Sequence, residues 1–153
     1  MIRSLLSFRW KIGGDDPAMR PKGGYLLDTH AAIWLEIEPA RLSASVRNAL
    51  GRAAPADLYI SDITLSETAR LLRQGRLATT TDPADWLERF ALGFTILPVT
   101  APIAWAAAAF EWDHRDPCDR HILASAAALG LPLVTVDPKI SSFAPSVGVR
   151  IVW

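Results

Sequence analysis

The sequence predicts an α/β domain with a central, mostly parallel sheet of about five short strands, flanked by helices. Short apolar runs alternate along the chain with longer segments rich in Ala, Leu and Arg. This alternation is typical of parallel strands connected by covering helices. Half of the 153 residues are apolar, which is enough for one core of ordinary domain size. We therefore expect a single domain, over residues 25–153.

The composition excludes several classes of protein. Sixteen Lys and Arg residues balance sixteen Asp and Glu residues, so bulk charge gives no sign of a nucleic-acid or membrane partner. The single cysteine, Cys118, excludes an intrachain disulfide framework and a Cys-rich zinc site. The longest apolar stretch, residues 101–110, is half of the roughly 20 residues that span a membrane. We expect a soluble, cytoplasmic protein without membrane contact.

Residues 1–24 differ from the rest of the chain. They contain five basic and two acidic residues, two Gly-Gly pairs and no sustained apolar period. We expect a loosely attached N-terminal arm, within which Met19 offers an alternative start. The folded domain is predicted to begin at Tyr25.

Two strands and three helices are predicted in the first half of the domain. The strands are residues 25–27 and 58–60, which are short apolar runs bounded by polar turn residues. A helix is expected over residues 30–36, and Ser43 is a typical N-cap for a second one. Thr64 is predicted to begin a third helix, because apolar residues recur after it with helical spacing.

Three further helices and three further strands are predicted in the second half. Asp82 and Asp116 are each followed by proline, the pattern of an N-cap with proline at the first helical position. Thr100 is expected to cap the Ala-rich helix between them. The remaining apolar runs predict strands, the last at the sheet edge, over residues 94–97, 133–136 and 149–153.

Acidic side chains are expected to gather at one edge of this sheet. Asp28 follows the first predicted strand and Asp137 the fourth, and ligands of open α/β sheets bind beyond the carboxyl ends of the strands. Asp116 and Asp119 lie at the start of a predicted helix, and Glu67 lies in the predicted first turn of another. Five acids could therefore meet at one edge.

Such a cluster predicts a divalent cation. Carboxylates that lie close together repel one another in a partly buried cleft, and a cation removes that cost. Oxygen ligands without Cys or His suit Mg²⁺ or Mn²⁺ better than zinc. A site of this type supports phosphodiester hydrolysis, because the metal lowers the pKa of a bound water and neutralises the leaving oxygen.

Each acid also has a purely structural explanation. Asp116 can serve as a helix cap alone, and Asp119 can simply complement the helix dipole. Asp28 and Asp137 can be ordinary turn formers at strand ends, and Glu67 can be a solvated acid of a first helical turn. The joint placement of Asp28 and Asp137 after predicted neighbouring strands favours function.

Four segments together resemble one protein family. They read Leu-Leu-Asp-Thr-His-Ala, Ser-Asp-Ile-Thr-Leu-Ser-Glu, His-Arg-Asp-Pro-Cys-Asp-Arg and Leu-Val-Thr-Val-Asp, at residues 26–31, 61–67, 114–120 and 133–137. Their order and spacing are similar to those of PIN-domain proteins, and most similar to the VapC-type toxins of bacterial toxin–antitoxin pairs. Two departures, Ser66 and Cys118, stand where relatives often have tryptophan and an aromatic residue, and neither removes an acid.

The resemblance implies a single PIN-like domain with metal-dependent endoribonuclease activity. It also implies an antitoxin partner and a homodimer. By motif position, the catalytic and metal-binding quartet would be Asp28, Glu67, Asp119 and Asp137, with Asp116 as an auxiliary acid. Thr29 directly follows Asp28, and Thr135 lies two residues before Asp137. Both could help to hold water or phosphate, although hydrogen bonding at strand ends explains them equally well.

Three residues are candidates for contact with RNA. Arg115 and Arg120 flank the acidic start of a predicted helix and could bind phosphates, whereas solvated arginines at helix ends are equally common. His30 lies two residues after Asp28 and could contact substrate, although a His at a helix start is more often structural.

Two other functional classes remain to be compared with a ribonuclease. A non-catalytic PIN-like module would use the acidic pocket to bind RNA or an arginine of a regulatory protein. An aspartyl-phosphate phosphatase would need a second Asp two residues after Asp28, where His30 stands. Nucleotide-cofactor folds are disfavoured, because no Gly-rich loop follows the first strand. Metal-dependent RNA cleavage separates the ribonuclease from the binding module.

Overall fold

A five-stranded, wholly parallel sheet forms the centre of the molecule. The computed structural model describes residues 21–153, so most of the expected arm at 1–24 lies outside the described residues. The strand order is β3-β2-β1-β4-β5, and the strands are β1 (Tyr25–Leu27), β2 (Leu58–Ser61), β3 (Thr95–Leu97), β4 (Leu133–Val134) and β5 (Ile151–Val152). The predicted α/β class is confirmed.

Seven α-helices in the described part of the chain cover the sheet. They are α1 (Thr29–Ile37), α2 (Ala44–Arg52), α3 (Asp62–Arg73), α4 (Pro83–Leu92), α5 (Ala101–Ala109), α6 (Pro117–Leu129) and α7 (Pro138–Phe143). Among residues 21–153, no helix is long and apolar enough to cross a membrane.

Side chains pack on both faces of the sheet, so neighbouring strand residues belong to different clusters. Leu27, Ile60 and Val134 lie in a cluster with α1 to α4, whereas Leu26 and Leu133 lie in one with α6 and α7. Burial on both faces explains why the strands are continuous apolar runs rather than alternating ones.

The chain changes direction across the sheet at β1. From β1 it continues through β2 to β3 on one side, and β4 and β5 lie on the other side. Loops that leave β1 and β4 therefore diverge, which opens a crevice at their carboxyl ends. Asp28 directly follows β1, and Asp137 follows β4 after two further residues.

Several predicted boundaries differ from the structure: β3 begins at Thr95 rather than at residue 94, and β5 covers Ile151–Val152 rather than residues 149–153. Helix α3 begins at Asp62 rather than Thr64, because the Ser61 hydroxyl caps it by accepting the Ile63 N–H at 3.4 Å. This places Glu67 in the second helical turn. Strand β4 ends at Val134 rather than Val136.

Helix α7 was not predicted, and one predicted cap does not form. Asp137 and Pro138 begin α7 with the same Asp-Pro pattern that begins α4 and α6. Thr100 precedes α5 as expected, but its hydroxyl makes no capping bond. That buried oxygen has no hydrogen-bond partner among the described residues.

Candidate active site

Three of the predicted site acids are N-caps. Asp28 Oδ1 accepts the Ala31 N–H at 2.7 Å and starts α1. The Asp116 Oδ1 starts α6 by accepting the Cys118 N–H at 2.9 Å. The Asp137 Oδ1 starts α7 by accepting two N–H groups, from Lys139 at 2.7 Å and Ile140 at 3.1 Å. The structural explanation of each acid as a cap or turn residue is therefore part of its role.

Capping leaves a free oxygen on two of these acids. Among residues 21–153, hydrogen bonds to the carboxyl groups of Asp116 and Asp137 reach only Oδ1. The backbone fixes the carboxylate through that atom, and Oδ2 stays available to a ligand. A capping role and a ligand-binding role are thus compatible in the same side chain.

Thr135 connects Asp28 with Asp137. Its side chain is fully buried, and its hydroxyl oxygen accepts the Asp137 N–H at 3.0 Å. The same side chain lies close enough to the Asp28 carboxyl to lower its pKa. Thr135 therefore lies between the chain segments that follow β1 and β4.

Thr29 connects Glu67 to the same region. The buried Thr29 hydroxyl donates to Glu67 Oε2 at 2.5 Å, and Thr29 follows Asp28 directly. The other oxygen of Glu67, Oε1, lies 3.7 Å from Arg70 Nη2. The Glu67 side chain is only 11% exposed, so helix α3 presents this acid toward the segment that begins α1.

Asp119 is bonded to a residue that the sequence did not single out. His114 Nε2 lies 2.6 Å from Asp119 Oδ2, and the two side chains are 11% and 23% exposed. His114 belongs to the third motif of the sequence, but nothing in its spacing shows that its ring turns back to Asp119 across the start of α6.

Burial and like charge raise the pKa of two acids. Burial raises the pKa of Asp28 from 3.8 to about 6, and the charge on Asp119 adds to the effect. Burial also raises the pKa of Asp119, as do the charges on Asp116 and Asp137, whereas the His114 hydrogen bond opposes the rise. Asp28 therefore lies within electrostatic range of Asp119, and Asp119 within range of Asp116 and Asp137.

The acids do not form a closed set of metal ligands. Within the part of the chain that the structure describes, no group of three or more His, Cys, Asp or Glu side chains is placed to hold an ion. Each acid is instead held by a cap, a hydroxyl or His114. The donors available are carboxylate oxygens, the type that Mg²⁺ and Mn²⁺ prefer.

Arg120 has a structural role in place of the predicted RNA contact. All five N–H groups of its guanidinium are directed at backbone carbonyls at the end of α5 and in the loop that follows. These carbonyls belong to Ala107, Ala108, Phe110, Trp112 and His114, at 2.7 to 3.4 Å. No N–H remains for a phosphate, and the cation also compensates the negative end of the α5 dipole.

Replacing Arg120 by Met should destabilise the protein by about 2 to 4 kcal/mol, because the carbonyls lose their donors. The methionine retains most of the apolar stem, so the loss reports on the hydrogen bonds. Arg115→Met, at an exposed neighbour, should change stability by less than about 0.5 kcal/mol. Urea denaturation of both variants measures the difference, and equal stabilities would contradict the structural role of Arg120.

The other two candidates for RNA contact are accessible. His30 is exposed, its ring lies 5.9 Å from that of Trp34, and its charge lowers the pKa of Asp28. Arg115 is exposed at the start of α6. Contact of His30 and Arg115 with RNA stays a prediction.

Comparison with known proteins agrees with this architecture. The sequence pattern of the PIN domain matches residues 25–144. The chain is 34% identical to ribonuclease VapC22 of Mycobacterium tuberculosis over 118 residues, which cover 76% of this chain and 89% of VapC22.

The chain belongs to the PIN-domain family. These matches confirm the predicted resemblance to VapC-type ribonucleases, and with it the predicted enzyme class. Among solved structures, FitAcB from Neisseria gonorrhoeae is 26% identical with a TM-score of 0.58, and the match covers 84% of this chain and 96% of that one. A toxin–antitoxin complex from Klebsiella pneumoniae shares the PIN fold at 23% identity with a TM-score of 0.60, over 85% and 97% of the two chains.

Proposed function

We propose that the protein is a metal-dependent endoribonuclease that acts as the toxin of a toxin–antitoxin pair. The main support is the neighbourhood of Asp28, Asp116, Asp119 and Asp137 near the carboxyl ends of β1 and β4, where burial raises the pKa of Asp28 and Asp119 and the charges of neighbouring acids add to the rise. Similarity to ribonuclease VapC22 supports RNA as the substrate.

Mg²⁺ or Mn²⁺ would be held by Asp28, Glu67, Asp119 and Asp137, with Asp116 as an auxiliary ligand. When bound, the cation would supply an activated water and neutralise the charge on the leaving oxygen. The carboxylate donors fit this group, because their repulsion is relieved by a divalent charge.

The other site residues support the acids or the substrate. Thr29 orients Glu67 and Thr135 orients Asp28, in addition to any contact they make with water or phosphate. Arg115 and His30 are accessible, so both side chains could reach RNA phosphates.

The activity is tested with purified protein and a structured RNA at several metal conditions. We expect cleavage in millimolar Mg²⁺ or Mn²⁺ and none in EDTA, with activity restored when metal is added back. Cleavage that persists in EDTA would contradict metal dependence. Absence of cleavage in every metal, together with retained binding to an arginine-containing protein segment, would instead favour a non-catalytic binding module.

We further propose an antitoxin partner and a homodimer. The support for the antitoxin is the Klebsiella pneumoniae structure, which is a toxin–antitoxin complex. The support for a dimer is the resemblance to VapC-type toxins, and Leu92 of α4 and Trp105 of α5, which are 86% and 59% exposed, are candidate contacts for it. The product of a small neighbouring reading frame should co-purify with the protein and inhibit cleavage, and light scattering should give twice the mass of the chain.

A further inference from the structure

Asp119 differs from the other acids of the site in how it is held. Asp28, Asp116 and Asp137 each accept backbone N–H groups at the start of a helix. Asp119 lies at the third position of α6, and its own N–H points to the Asp116 carboxylate. Among residues 21–153, the hydrogen bond to its carboxylate comes from His114. The backbone therefore does not fix the orientation of this carboxylate.

We propose that His114 is the positioning residue for Asp119. Its Nε2–H holds Asp119 Oδ2, so that Oδ1 would be the oxygen available to a cation. An ionised carboxylate can only accept, so the proton of this hydrogen bond lies on Nε2. The inference rests on the proposed metal-dependent function and names a residue outside the predicted quartet.

His114 is itself held firmly on its backbone and on its ring. Its carbonyl accepts from Arg120 Nη1 at 3.0 Å. Its ring centroid lies 4.4 Å from that of Trp112, and Trp112 stacks on Phe143 of α7 at 4.9 Å with an interplanar angle of 4°. The imidazole is thus placed before any ligand binds, as a support for a metal-binding carboxylate requires.

Two substitutions separate the hydrogen bond from the packing. His114→Phe retains an aromatic ring against Trp112 and removes the donor, whereas His114→Gln retains an N–H at similar reach and removes the ring. We expect His114→Phe to weaken Mn²⁺ binding about 10- to 100-fold, the usual effect of losing a support for a metal ligand. His114→Gln should recover most of that loss. Calorimetric titration of the full chain with Mn²⁺ measures both.

A matched control, His121, lies on α6, the helix that contains Asp119. His121 is bonded through Nδ1 to the Pro117 carbonyl, and His121→Phe makes the same chemical change two residues after Asp119. It should leave Mn²⁺ affinity within about twofold. At limiting Mn²⁺, the rate of RNA cleavage should decrease in the order wild type, His114→Gln, His114→Phe. At saturating Mn²⁺, the differences between these three rates should become smaller.

A spectroscopic measurement covers the case in which His114→Phe fails to fold. In metal-free wild-type protein, the His114 Nε2 proton should give a downfield NMR resonance that is protected from exchange, and Asp119→Ala should abolish it. An unprotected proton would overturn the proposal. So would wild-type Mn²⁺ affinity in His114→Phe, or equal losses in His114→Phe and His114→Gln. Failure of the proposed function is distinguishable, because the wild type itself would then neither bind Mn²⁺ nor cleave RNA.

Discussion

Replacing Asp119 by Asn is expected to reduce RNA cleavage by about 100- to 1,000-fold, the usual effect of removing one preorganised charged group from an active site. The substitution leaves the side-chain volume and the start of α6 unchanged, but it removes the charge that would bind the cation. The same result is expected for Asp28→Asn and Glu67→Gln. Initial cleavage rates at saturating metal measure the loss.

Asp116 and Asp82 provide graded controls for this series. Asp116→Asn should be milder, because Asn still caps α6. Asp82 caps α4 in the same way, with Oδ1 accepting the Ala84 N–H at 2.9 Å, but α4 leads to the edge strand β3. Asp82→Asn should leave cleavage unchanged. Wild-type rates in the Asp119, Asp28 or Glu67 variants would refute the assignment of these acids, and an inactive Asp116→Asn would make Asp116 a ligand.

Replacing Asp28 by Asn should stabilise the metal-free protein above pH 6 by about 3 kcal/mol. Burial raises the pKa of this carboxyl from 3.8 to about 6. Well below pH 3.8, the carboxyl is protonated in both the folded and the unfolded chain, so its raised pKa does not change the free energy of unfolding. Between pH 4 and 6 the unfolded chain ionises first, and wild-type stability falls. Asn avoids this loss and still caps α1.

Thermal melts in EDTA at pH 4, 5, 6 and 8 measure this effect. The melting temperature of Asp28→Asn should exceed that of wild type by about 6 to 12 °C at pH 8, and the difference should shrink toward zero at pH 4. Asp119→Asn and Asp137→Asn should also raise it, by relieving like-charge repulsion. Added Mn²⁺ should stabilise wild type more than the variants. A constant difference at every pH would contradict a buried, protonatable Asp28.

Most of the fold follows from patterns that are local in the sequence. The strands β1 and β2 are short apolar runs between polar turns, and the Asp-Pro pairs give the starts of α4 and α6 to the residue. The same pair at residues 137 and 138 begins α7. Helix α7 was not predicted, because an aspartate after an apolar run is also typical of the turn that ends a strand.

The candidate site was only partly predictable. Acids that follow strands can be placed from the chain alone, since the carboxyl ends of parallel strands share one edge. The hydrogen-bond partners of His114 and Arg120 cannot be predicted in this way, because both depend on how the loop after α5 folds back over α6. Arg120 is an example. An arginine beside acidic residues fits a phosphate contact, and only the path of residues 107–114 shows that backbone carbonyls accept its N–H groups.

The pairing of β1 with β4 also bears on when the proposed active site can form during synthesis of the protein. Leu26 lies beside Leu133 in the sheet, so residues about a hundred positions apart must meet before the crevice exists. Such distant contacts form late, since the long intervening loop must be closed first. A nascent chain that has folded only β1, β2 and β3 has Asp28 and Glu67 but neither Asp119 nor Asp137. On the proposed assignment of these four acids, the ribosome that makes the protein therefore meets no complete active site until α7 has been translated.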